Sequence, residues 1–375
     1  MVRSFDDLSL TPAMREAIAR VGYTTPTPIQ AQAIGPILEG RDLIGCAQTG
    51  TGKTAAFAIP TIERLTGEGL TPPTRGGLRP PRALVLAPTR ELALQIAETF
   101  DTLGRTRGVR TIVLIGGESM GPQLAALRDR PDVIVATPGR LADHLERGTA
   151  SLGAIRVVVL DEADRMLDMG FAPQVERILR VAPLDRQTLC FSATMPPEVE
   201  RLVRRHLVRP ARIEAGLVAR PVAGVTQVLY RADAQRKTPL LLKLLGAERG
   251  RTLIFTRTKH RADRVARAVT AAGHRAARLH ADRSMSERRE ALNGFRSGRY
   301  RVLIATDIAA RGIDVPEIAH VVNFDLPGTP EDYIHRIGRT ARAEASGVAS
   351  SFAAPEEQDR LRAIERHLGH PLVAG

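Results

Sequence analysis

The most informative residues of this sequence are two groups that each follow a short apolar run. Residues 157–160 lead into Asp161-Glu162-Ala163-Asp164, and residues 44–47 lead into Gln48-Thr49-Gly50-Thr51-Gly52-Lys53-Thr54. A glycine-rich turn can hold phosphates with its backbone N–H groups, while the lysine reaches the β and γ oxygens and the hydroxyl binds Mg²⁺. Together the two groups predict one site for a nucleoside triphosphate.

Each residue type in this site has its own chemistry. Where such a loop is present, its hydroxyl and a strand-end aspartate hold the metal, which assigns Thr54 and Asp161 to Mg²⁺ and leaves Glu162 to orient the attacking water. The loop departs from the usual pattern at Ala47, where glycine is usual. Taken alone, the acidic tetrapeptide could also be a solvated helix start, because negative charge is favoured at a helix N-terminus.

Parallel sheets are the elements that would position these residues. Short β-rich apolar runs alternate with helical periodicity, which predicts an α/β fold with helices on both faces of mainly parallel sheets. Strands are predicted at residues 42–47, 83–87, 111–115, 132–136, 157–160 and 188–191, and again at 225–230, 252–256, 276–280, 301–305, 320–324 and 348–353. Ligands of open α/β sheets bind at the carboxyl ends of strands, so residues that follow the strands are the functional candidates.

Two domains are expected from the length of 375 residues and from this repeated rhythm. We predict a nucleotide-binding domain at residues 1–209, a linker at 210–221, where prolines and glycines interrupt the pattern, and a second domain at 222–375. Cys46 and Cys190 lie in apolar runs without metal-ligand spacing, so we expect buried thiols in a reducing compartment.

Charge points to a polyanion as partner. The chain has 54 Lys and Arg against 41 Asp and Glu, a formal net charge of +13, and residues 222–375 carry 26 basic against 17 acidic side chains. A general bias towards arginine, with only four lysines, is the alternative explanation. Acidic residues near the N-terminus and the lack of an apolar run of about 18 residues predict a cytoplasmic protein without a membrane segment.

Motifs follow nearly every predicted strand, and their order resembles that of DEAD-box ATP-dependent RNA helicases of superfamily 2. They lie at residues 22–30, 47–54, 88–93, 116–117, 137–140, 161–164, 192–194, 305–314 and 335–342. The resemblance spans roughly residues 5–354, and residues 160–171 are similar to the bacterial RhlE-like branch. It implies two tandem RecA-like domains, ATP and Mg²⁺ as cofactors, RNA as partner, and an RNA-dependent ATPase that unwinds short duplexes or remodels RNA–protein complexes by ATP-driven domain closure.

The resemblance also implies the residues of the ATP site. These are Phe5, Tyr23, Gln30, Gln48, Thr49, Gly50, Thr51, Gly52, Lys53, Thr54, Gly312 and Asp314, with Lys53, Asp161, Glu162 and two arginine fingers, Arg339 and Arg342, in catalysis. The Gln30 amide can pair with the N6/N7 edge of adenine, and Tyr23 and Phe5 would supply apolar surface for the base. Coupling to RNA is implied for Asp164, Ser192, Thr194 and His335, although Ser192 and Asp164 could be ordinary caps.

RNA contacts are implied at Arg90, Gly116, Gly117, Thr137, Gly139 and Arg140 of the first domain and at Thr258, Arg288 and Thr306 of the second. Such contacts reach the backbone and carry no base sequence, but the 2′-OH and A-form geometry distinguish RNA from DNA. Two departures from the family pattern are Met285, where glutamine is usual, and Ala341, where glycine is usual.

Two alternative functions stay open. One is an ATP-gated RNA clamp or annealing chaperone, which would use the same motifs. The other is a superfamily 2 DNA translocase, against which Gln30, the acidic tetrapeptide and residues 137–140 argue. A monomer is the default, and the RNA, its pathway (ribosome assembly, mRNA decay or cold adaptation) and the protein partners stay unspecified, because the core contacts only the RNA backbone.

Overall fold

The chain folds into two units, Met1–Val218 and Ala219–Gly375, in a computed structural model. The structure describes residues 2–47, 50–67, 80–129, 131–215, 224–247, 250–310, 318–340 and 346–375. Each unit contains one seven-stranded sheet in which every pair of neighbouring strands is parallel. The predicted α/β fold with parallel sheets is therefore confirmed.

The sheet of the first unit has the strand order β3-β4-β2-β5-β6-β1-β7. Its strands are β1 Leu43–Ala47, β2 Ala83–Leu86, β3 Thr111–Leu114, β4 Val133–Ala136, β5 Val157–Leu160, β6 Gln187–Ser192 and β7 Ala211–Ala215. The helices are α1 Pro12–Arg20, α2 Pro28–Leu38, α3 Lys53–Thr66, α4 Arg90–Gly104, α5 Met120–Arg128, α6 Pro138–Glu146, α7 Ala163–Asp168, α8 Ala172–Val181 and α9 Pro197–His206.

Helices cover both faces of this sheet. On one face α6, α8 and α9 pack on alternate strand residues such as Ile44, Leu84 and Val158, and on the other face α2, α3 and α4 pack on the strands. All residues of the central strands are buried as a result. Burial on both sides explains why these strands are continuous apolar runs without alternation of polar residues.

The second unit repeats the same plan with the order β10-β11-β9-β12-β13-β8-β14. Its strands are β8 Val225–Arg231, β9 Arg251–Thr256, β10 Ala276–Leu279, β11 Val302–Thr306, β12 Ile318–Asn323, β13 Gly347–Ala353 and β14 Val373–Ala374. The helices are α10 Lys237–Ala247, α11 Lys259–Ala271, α12 Met285–Arg296, α13 Asp307–Ala310, α14 Pro330–Ile337 and α15 Gln358–Leu368. Each strand therefore has a counterpart seven strands earlier in the chain.

The linker predicted at 210–221 is wrong in its first part. Residues 211–215 form β7, which pairs in parallel with β1 along its whole length and belongs to the first sheet. This strand is short, lies at the sheet edge and buries only alternate residues, so the neighbouring Pro210 and Gly216 dominated the sequence signal. Residues 216–221 lie outside the described part of the chain.

Both cysteines are buried and free, as predicted. Burial raises the pKa of the Cys46 and Cys190 thiols, and nearby carboxylates add to this effect. The two side chains behave as small apolar residues of one core cluster in the first unit. Among the helices of the described residues, none has the length and apolarity needed to span a bilayer.

Candidate functional site

The loop after β1 places Lys53 at the carboxyl end of the first sheet. Gly50 and Gly52 have φ angles of 84° and 88°, and a Cβ at Gly52 would lie 2.5 Å from Nε2 of Gln30. Glycine is therefore required at position 52 for both backbone and space. Lys53 is the first residue of α3, is only 6% exposed, and donates from Nζ to the carbonyl of Ala47 at 2.9 Å.

Four more residues of this predicted loop are Gln48, Thr49, Thr51 and Thr54. Gln48 and Thr49 lie outside the described residues, whereas Thr51 and Thr54 are half-buried at the start of α3. Thr54 follows Lys53 in the first turn of α3. Its hydroxyl therefore belongs to the same helix N-terminus that a phosphate would approach.

Gln30 joins α2 to the phosphate loop. Its Oε1 accepts from the backbone N–H of Thr27 at 3.0 Å, and its Nε2 donates to the carbonyl of Gly52 at 3.1 Å. A primary amide has two donor hydrogens and an oxygen with two lone pairs, so each end keeps capacity for one further partner. The contact with Gly52 means that any movement of the loop acts directly on Gln30.

The two aromatic residues predicted to face the base differ in exposure. Phe5 is 5% exposed and belongs to the buried core, so its predicted stacking surface is occupied by protein. Tyr23 is 38% exposed and precedes α2. Of the two predicted side chains, Tyr23 is therefore the one with accessible aromatic surface.

Asp161 and Glu162 are buried immediately after β5. The Glu162 N–H donates to Oδ1 of Asp161 at 3.0 Å, and Glu162 has a left-handed backbone with φ 51°, which is uncommon for a residue other than glycine. Burial raises the pKa of Asp161 to about 6, although Lys53 opposes this shift. Oε2 of Glu162 is buried without a hydrogen-bond partner among the described residues.

A hydrogen-bonded network connects Asp164 to the end of β6. Oδ2 of Asp164 accepts from both the N–H and the hydroxyl of Thr194, at 2.9 and 2.8 Å. The Ser192 hydroxyl accepts from the Asp164 N–H at 3.2 Å and donates to the Thr194 carbonyl at 2.7 Å. Three of the four predicted coupling residues are thus linked: the Asp164 carboxylate accepts from the Thr194 hydroxyl, and the Ser192 hydroxyl accepts from the Asp164 backbone.

Burial of Asp164 raises its pKa, but the two hydrogen bonds from Thr194, with Lys53 and Arg165, bring the pKa below its usual value. Asp164 is consequently charged near neutral pH. The two carboxyl groups, three residues apart, therefore differ, because burial raises the pKa of Asp161 whereas hydrogen-bond donors hold Asp164 as an anion.

The predicted RNA-contacting residues of the first unit form a cluster after β2, β3 and β4. A Cβ at Gly117, where φ is 77°, would lie 2.1 Å from a guanidinium nitrogen of Arg90, so the Arg90 guanidinium packs directly over this glycine. Arg140 donates to the carbonyl of Glu118 at 3.0 Å, and its other terminal nitrogen has no hydrogen-bond partner among the described residues. The remaining members are Gly116, which also lies near Arg90, Thr137, which is the N-cap of α6, and Gly139 in its first turn.

The predicted RNA-contacting residues of the second unit follow the corresponding strands. Thr258 is the N-cap of α11 after β9 and is exposed, Thr306 ends β11, and Arg288 lies in the first turns of α12. Arg288 is only 6% exposed and donates to the carbonyl of His280 at 3.3 Å. Met285, three residues earlier, is buried, so its side chain offers no polar contact there.

Residues predicted to contact ATP from the second unit are described only in part. Arg339 is the second residue after α14 and is 4% exposed, and His335 lies half-buried within that helix. Gly312, Asp314 and Arg342 lie outside the described residues.

Arg336 lies in the motif at residues 335–342, but the sequence predicted no role for it. Its guanidinium binds both carboxylate oxygens of Asp307, at 2.6 and 2.7 Å, and donates to Oδ1 of Asn323 and to the carbonyl of Asp325. Arg336 therefore ties α14, which precedes Arg339, to the end of β11 at Thr306. The only sequence signal was an arginine beside a histidine, and the bidentate partner lies 29 residues away.

The strand order decides how these groups are distributed. The candidate nucleotide residues of the first unit follow β1, β5 and β6, and the candidate RNA residues follow β2, β3 and β4, so each set occupies neighbouring or nearby strands of one sheet edge. The described residues contain no group of three or more His, Cys, Asp or Glu that could hold a metal ion alone. A magnesium ion at Asp161 would accordingly need oxygens from a phosphate ligand or water.

Two family models match the chain. The model for DEAD/DEAH box helicases matches residues 27–202, and the model for the helicase conserved C-terminal domain matches residues 236–344. Among curated proteins, the DEAD-box ATP-dependent RNA helicase CshA of Bacillus subtilis is 42% identical over 98% of this chain and 72% of its own length. The ATP-dependent rRNA helicase RRP3 of Saccharomyces cerevisiae is 43% identical over 98% of this chain and 72% of its own length.

Solved structures show the same similarity. The structure of S. cerevisiae Dbp5 bound to RNA and ADP BeF3 has a TM-score of 0.87 and 33% sequence identity, and the match covers 99% of this chain and 95% of that chain. A DEAD box protein from Methanococcus jannaschii has a TM-score of 0.56 and 36% identity over the whole of this chain.

Proposed function

The chain belongs to the DEAD-box family of ATP-dependent RNA helicases, and we propose that it is an RNA-dependent ATPase that locally unwinds short RNA duplexes or remodels RNA–protein complexes. The observation that carries this proposal is the arrangement of the first sheet edge. A buried lysine lies after β1, and the buried Glu162, with one unpaired carboxylate oxygen, lies after β5. A basic and glycine-rich cluster lies after β2 to β4, and the Asp164–Thr194 network lies at the ends of β5 and β6. The assignment to the RhlE-like branch stays a prediction.

In the proposed nucleotide site each residue has one task. Lys53 would exchange its bond to the Ala47 carbonyl for phosphate oxygens, and Gln30 would use its remaining amide capacity on adenine beside Tyr23. Glu162 would orient the attacking water, and its unpaired Oε2 supports this role because a buried carboxylate oxygen without a donor has a place for one. Gly50, Thr51 and Gly52 would hold phosphates through the backbone.

Thr54 and Asp161 would hold Mg²⁺, partly through water. Carboxylate and hydroxyl oxygens are ligands that Mg²⁺ prefers, and a divalent cation beside Asp161 would stabilise the anion that burial disfavours, since burial raises the pKa of Asp161 to about 6. When bound, the ion neutralises developing charge on the transferred phosphoryl group. The residues present therefore fit this cofactor.

RNA would bind through its backbone at both units. The Arg90 guanidinium packed over Gly117, the unpaired nitrogen of Arg140 and the exposed Thr258 supply donors without reading bases. The same role is proposed for Gly116, Thr137, Gly139, Arg288 and Thr306. Backbone recognition leaves the choice of RNA open among ribosome assembly, mRNA decay and cold adaptation, in a protein that we propose to be cytoplasmic and monomeric.

ATP would drive closure of the two units. A ligand can shift a conformational equilibrium only by binding one state more tightly, so ATP and RNA must each gain contacts from both units when they close. Arg339 and Arg342 would act as the second unit's arginine fingers, with Gly312 and Asp314 near the nucleotide and His335 coupled to it. Closure would bend one RNA strand out of A-form geometry, and hydrolysis would restore the open state.

The test compares duplex separation with strand retention. We expect RNA to stimulate ATP hydrolysis and the protein to separate a short duplex with ATP. A long-lived single-strand complex under a nonhydrolysable ATP analogue, without duplex separation, would instead support an ATP-gated RNA clamp or annealing chaperone. Equal stimulation of hydrolysis by DNA and RNA would support a DNA translocase and would reject the proposal.

A further inference from the structure

Helix α11 of the second unit presents basic side chains along its solvent face. His260, Arg264 and Arg267 are all exposed and follow the i, i+4, i+7 spacing that places side chains on one stripe of a helix. The opposite face is apolar and packs in the core through Ala262, Val265, Ala266 and Val269. We call the exposed stripe of His260, Arg264 and Arg267 the basic ridge.

The two arginines of the basic ridge carry charge that no neighbour neutralises. In the part of the chain that the structure describes, neither Arg264 nor Arg267 makes an ion pair or a hydrogen bond. Most acidic side chains around α11 are paired elsewhere: Asp263 with Arg278, His280 and Arg283, Asp282 with Lys259, Asp325 with Arg261 and Lys237, Glu287 with Arg283, Glu290 with Arg299, and Glu357 with Lys237 and Arg257. Glu356, which lines the same cavity as Arg264, is one acidic side chain against the two arginines and the histidine of the ridge. The ridge is therefore a surface of net positive charge.

The position of the ridge relates it to the candidate RNA residues. Thr258 is the N-cap of α11, and β9 before it lies next to β11, which ends at Thr306. At 1.5 Å per residue, the ridge extends about 10 Å along α11 from its first turn to Arg267. A strand bound at Thr258 and Thr306 that continued past the sheet edge towards α11 would meet the ridge next.

The composition of the ridge favours a nucleic acid over a protein as the occupant. Protein interfaces are centred on buried aromatic and apolar anchors, which arginines accompany but do not replace. The ridge offers only arginines and a histidine, and guanidinium groups match phosphate in charge and geometry. Resting on the function proposed above, we infer that the basic ridge binds the phosphate backbone of RNA that extends beyond the core site at Thr258.

The test removes the two charges and varies RNA length. The variant Arg264→Gln/Arg267→Gln removes both charges and keeps helix propensity. Its RNA affinity is compared with that of the wild type on the shortest RNA that fully stimulates ATP hydrolysis, and on the same RNA extended at its 5′ or its 3′ end. Each single-strand phosphate contact adds about 0.7 to the steepness of the plot of log affinity against log salt. Because the variant lacks two such contacts, we expect its slope to be shallower by about 1.4 with the RNA whose extension, 5′ or 3′, reaches the ridge. A fourfold rise in salt would then cost the wild type about sevenfold more affinity than the variant.

Matched variants separate this effect from general charge. Arg180→Gln/Arg366→Gln removes two exposed arginines of α8 and α15 that make no ion pair among the described residues, and it should keep the wild-type slope. Arg264→Lys/Arg267→Lys should also keep most of the slope, because lysine binds phosphate as a point charge.

Three results would overturn the inference. The first two are an equal loss of RNA affinity on the shortest and the extended RNAs, and an equal reduction of the salt slope in the Arg180/Arg366 control. The third is RNA binding by the ridge variant that is unchanged from wild type, which would leave the ridge to a protein partner. Failure of the proposed function looks different, because wild-type hydrolysis would then not respond to RNA of any length. With the shortest RNA, the ridge variant should hydrolyse ATP at the wild-type rate.

Discussion

The two units share one topology but use corresponding positions in opposite ways. Five residues separate β1 from Lys53 at the start of α3, and five separate β8 from Lys237 at the start of α10, so the two lysines occupy equivalent places. Both side chains are buried, with 6% of Lys53 and 2% of Lys237 exposed. The first lysine follows a loop of glycines and threonines, whereas the residues before Lys237 include no glycine.

The contacts of the two lysines explain the difference. Among the described residues, Nζ of Lys53 donates one hydrogen bond, to Ala47. Nζ of Lys237 donates to the Phe324 and Phe352 carbonyls at 3.0 and 3.1 Å and to Oε2 of Glu357 at 2.5 Å. Lys237 has thus used all three donors on the protein, and no capacity is left for a phosphate.

The acids after the equivalent strands β5 and β12 differ in the same way as the two lysines. Oε2 of Glu162, the second residue after β5, has no donor among the described residues. Asp325, the second residue after β12, accepts from the Arg257 N–H at 2.9 Å and from the Arg261 guanidinium at 2.5 Å. In the first unit, the lysine and the acid keep hydrogen-bonding groups available for a ligand. In the second unit, protein groups bind the equivalent lysine and acid, so the corresponding position has a structural role.

The largest expected effect tests the part that the second unit takes in hydrolysis. We expect the second unit to contribute the cation of Arg339 to hydrolysis, while Lys237 only stabilises the fold. Arg339→Ala should then lower the RNA-stimulated kcat by about 10³–10⁵-fold, because an arginine finger stabilises charge only in the transition state. ATP affinity should stay near the wild-type value, measured by nucleotide titration. Unchanged RNA-stimulated hydrolysis would remove Arg339 from the catalytic residues.

Glu162 and Asp325 give the next comparison. Glu162→Gln is expected to lower hydrolysis by about 10²–10⁴-fold while ATP and RNA still bind, because the amide cannot accept a proton from water. Asp325→Asn should keep hydrolysis per folded molecule. Steady-state ATPase assays and binding titrations check both variants, and weak nucleotide binding by Glu162→Gln would contradict its assigned role.

The two lysines should differ in what they stabilise. Lys237→Met leaves Glu357 and Asp325 buried without one of their cations, and removal of one partner from a buried ion pair costs about 3–5 kcal/mol of unfolding free energy. Hydrogen exchange of β8 and β12 reports this loss. Lys53→Met should abolish hydrolysis with the smaller loss of stability, and the comparison fails if the two variants lose equal stability.

The smallest effect concerns Asp164 and pH. A pKa depressed below 3.8 gives stability that is present above the unfolded value and is lost as pH falls through the folded pKa. Asp164→Asn should therefore cost about 1–3 kcal/mol of unfolding free energy at neutral pH, and its difference from wild type should shrink below about pH 4. Urea denaturation across this pH range measures the difference, and a gap that widens in acid would mean that Asp164 is not held as an anion.

Several features were accessible from the sequence because they are local. Twelve of the fourteen strands in the described residues were predicted, and the central ones stand out because continuous apolar runs reflect burial on both faces. The missed strands are β7, which buries only alternate residues, and the exposed two-residue β14. The glycine turn before Lys53 was accessible because position 52 requires a positive φ. Phe5 was expected at the base, but its ring is covered by protein.

The sequence by itself determined the family, the strand-end motifs and the chemistry that their side chains can perform, since these depend on residue type and near spacing. Tertiary structure alone decided which groups keep open capacity. Lys237 pairs with Glu357, 120 residues away, and Arg336 pairs with Asp307, 29 residues away. No local sequence pattern therefore indicates that these charges are neutralised within the fold. Glu162 and Lys53 differ from them because strand order brings them to one sheet edge with fewer protein partners: Oε2 of Glu162 has no donor among the described residues, and Nζ of Lys53 has one acceptor.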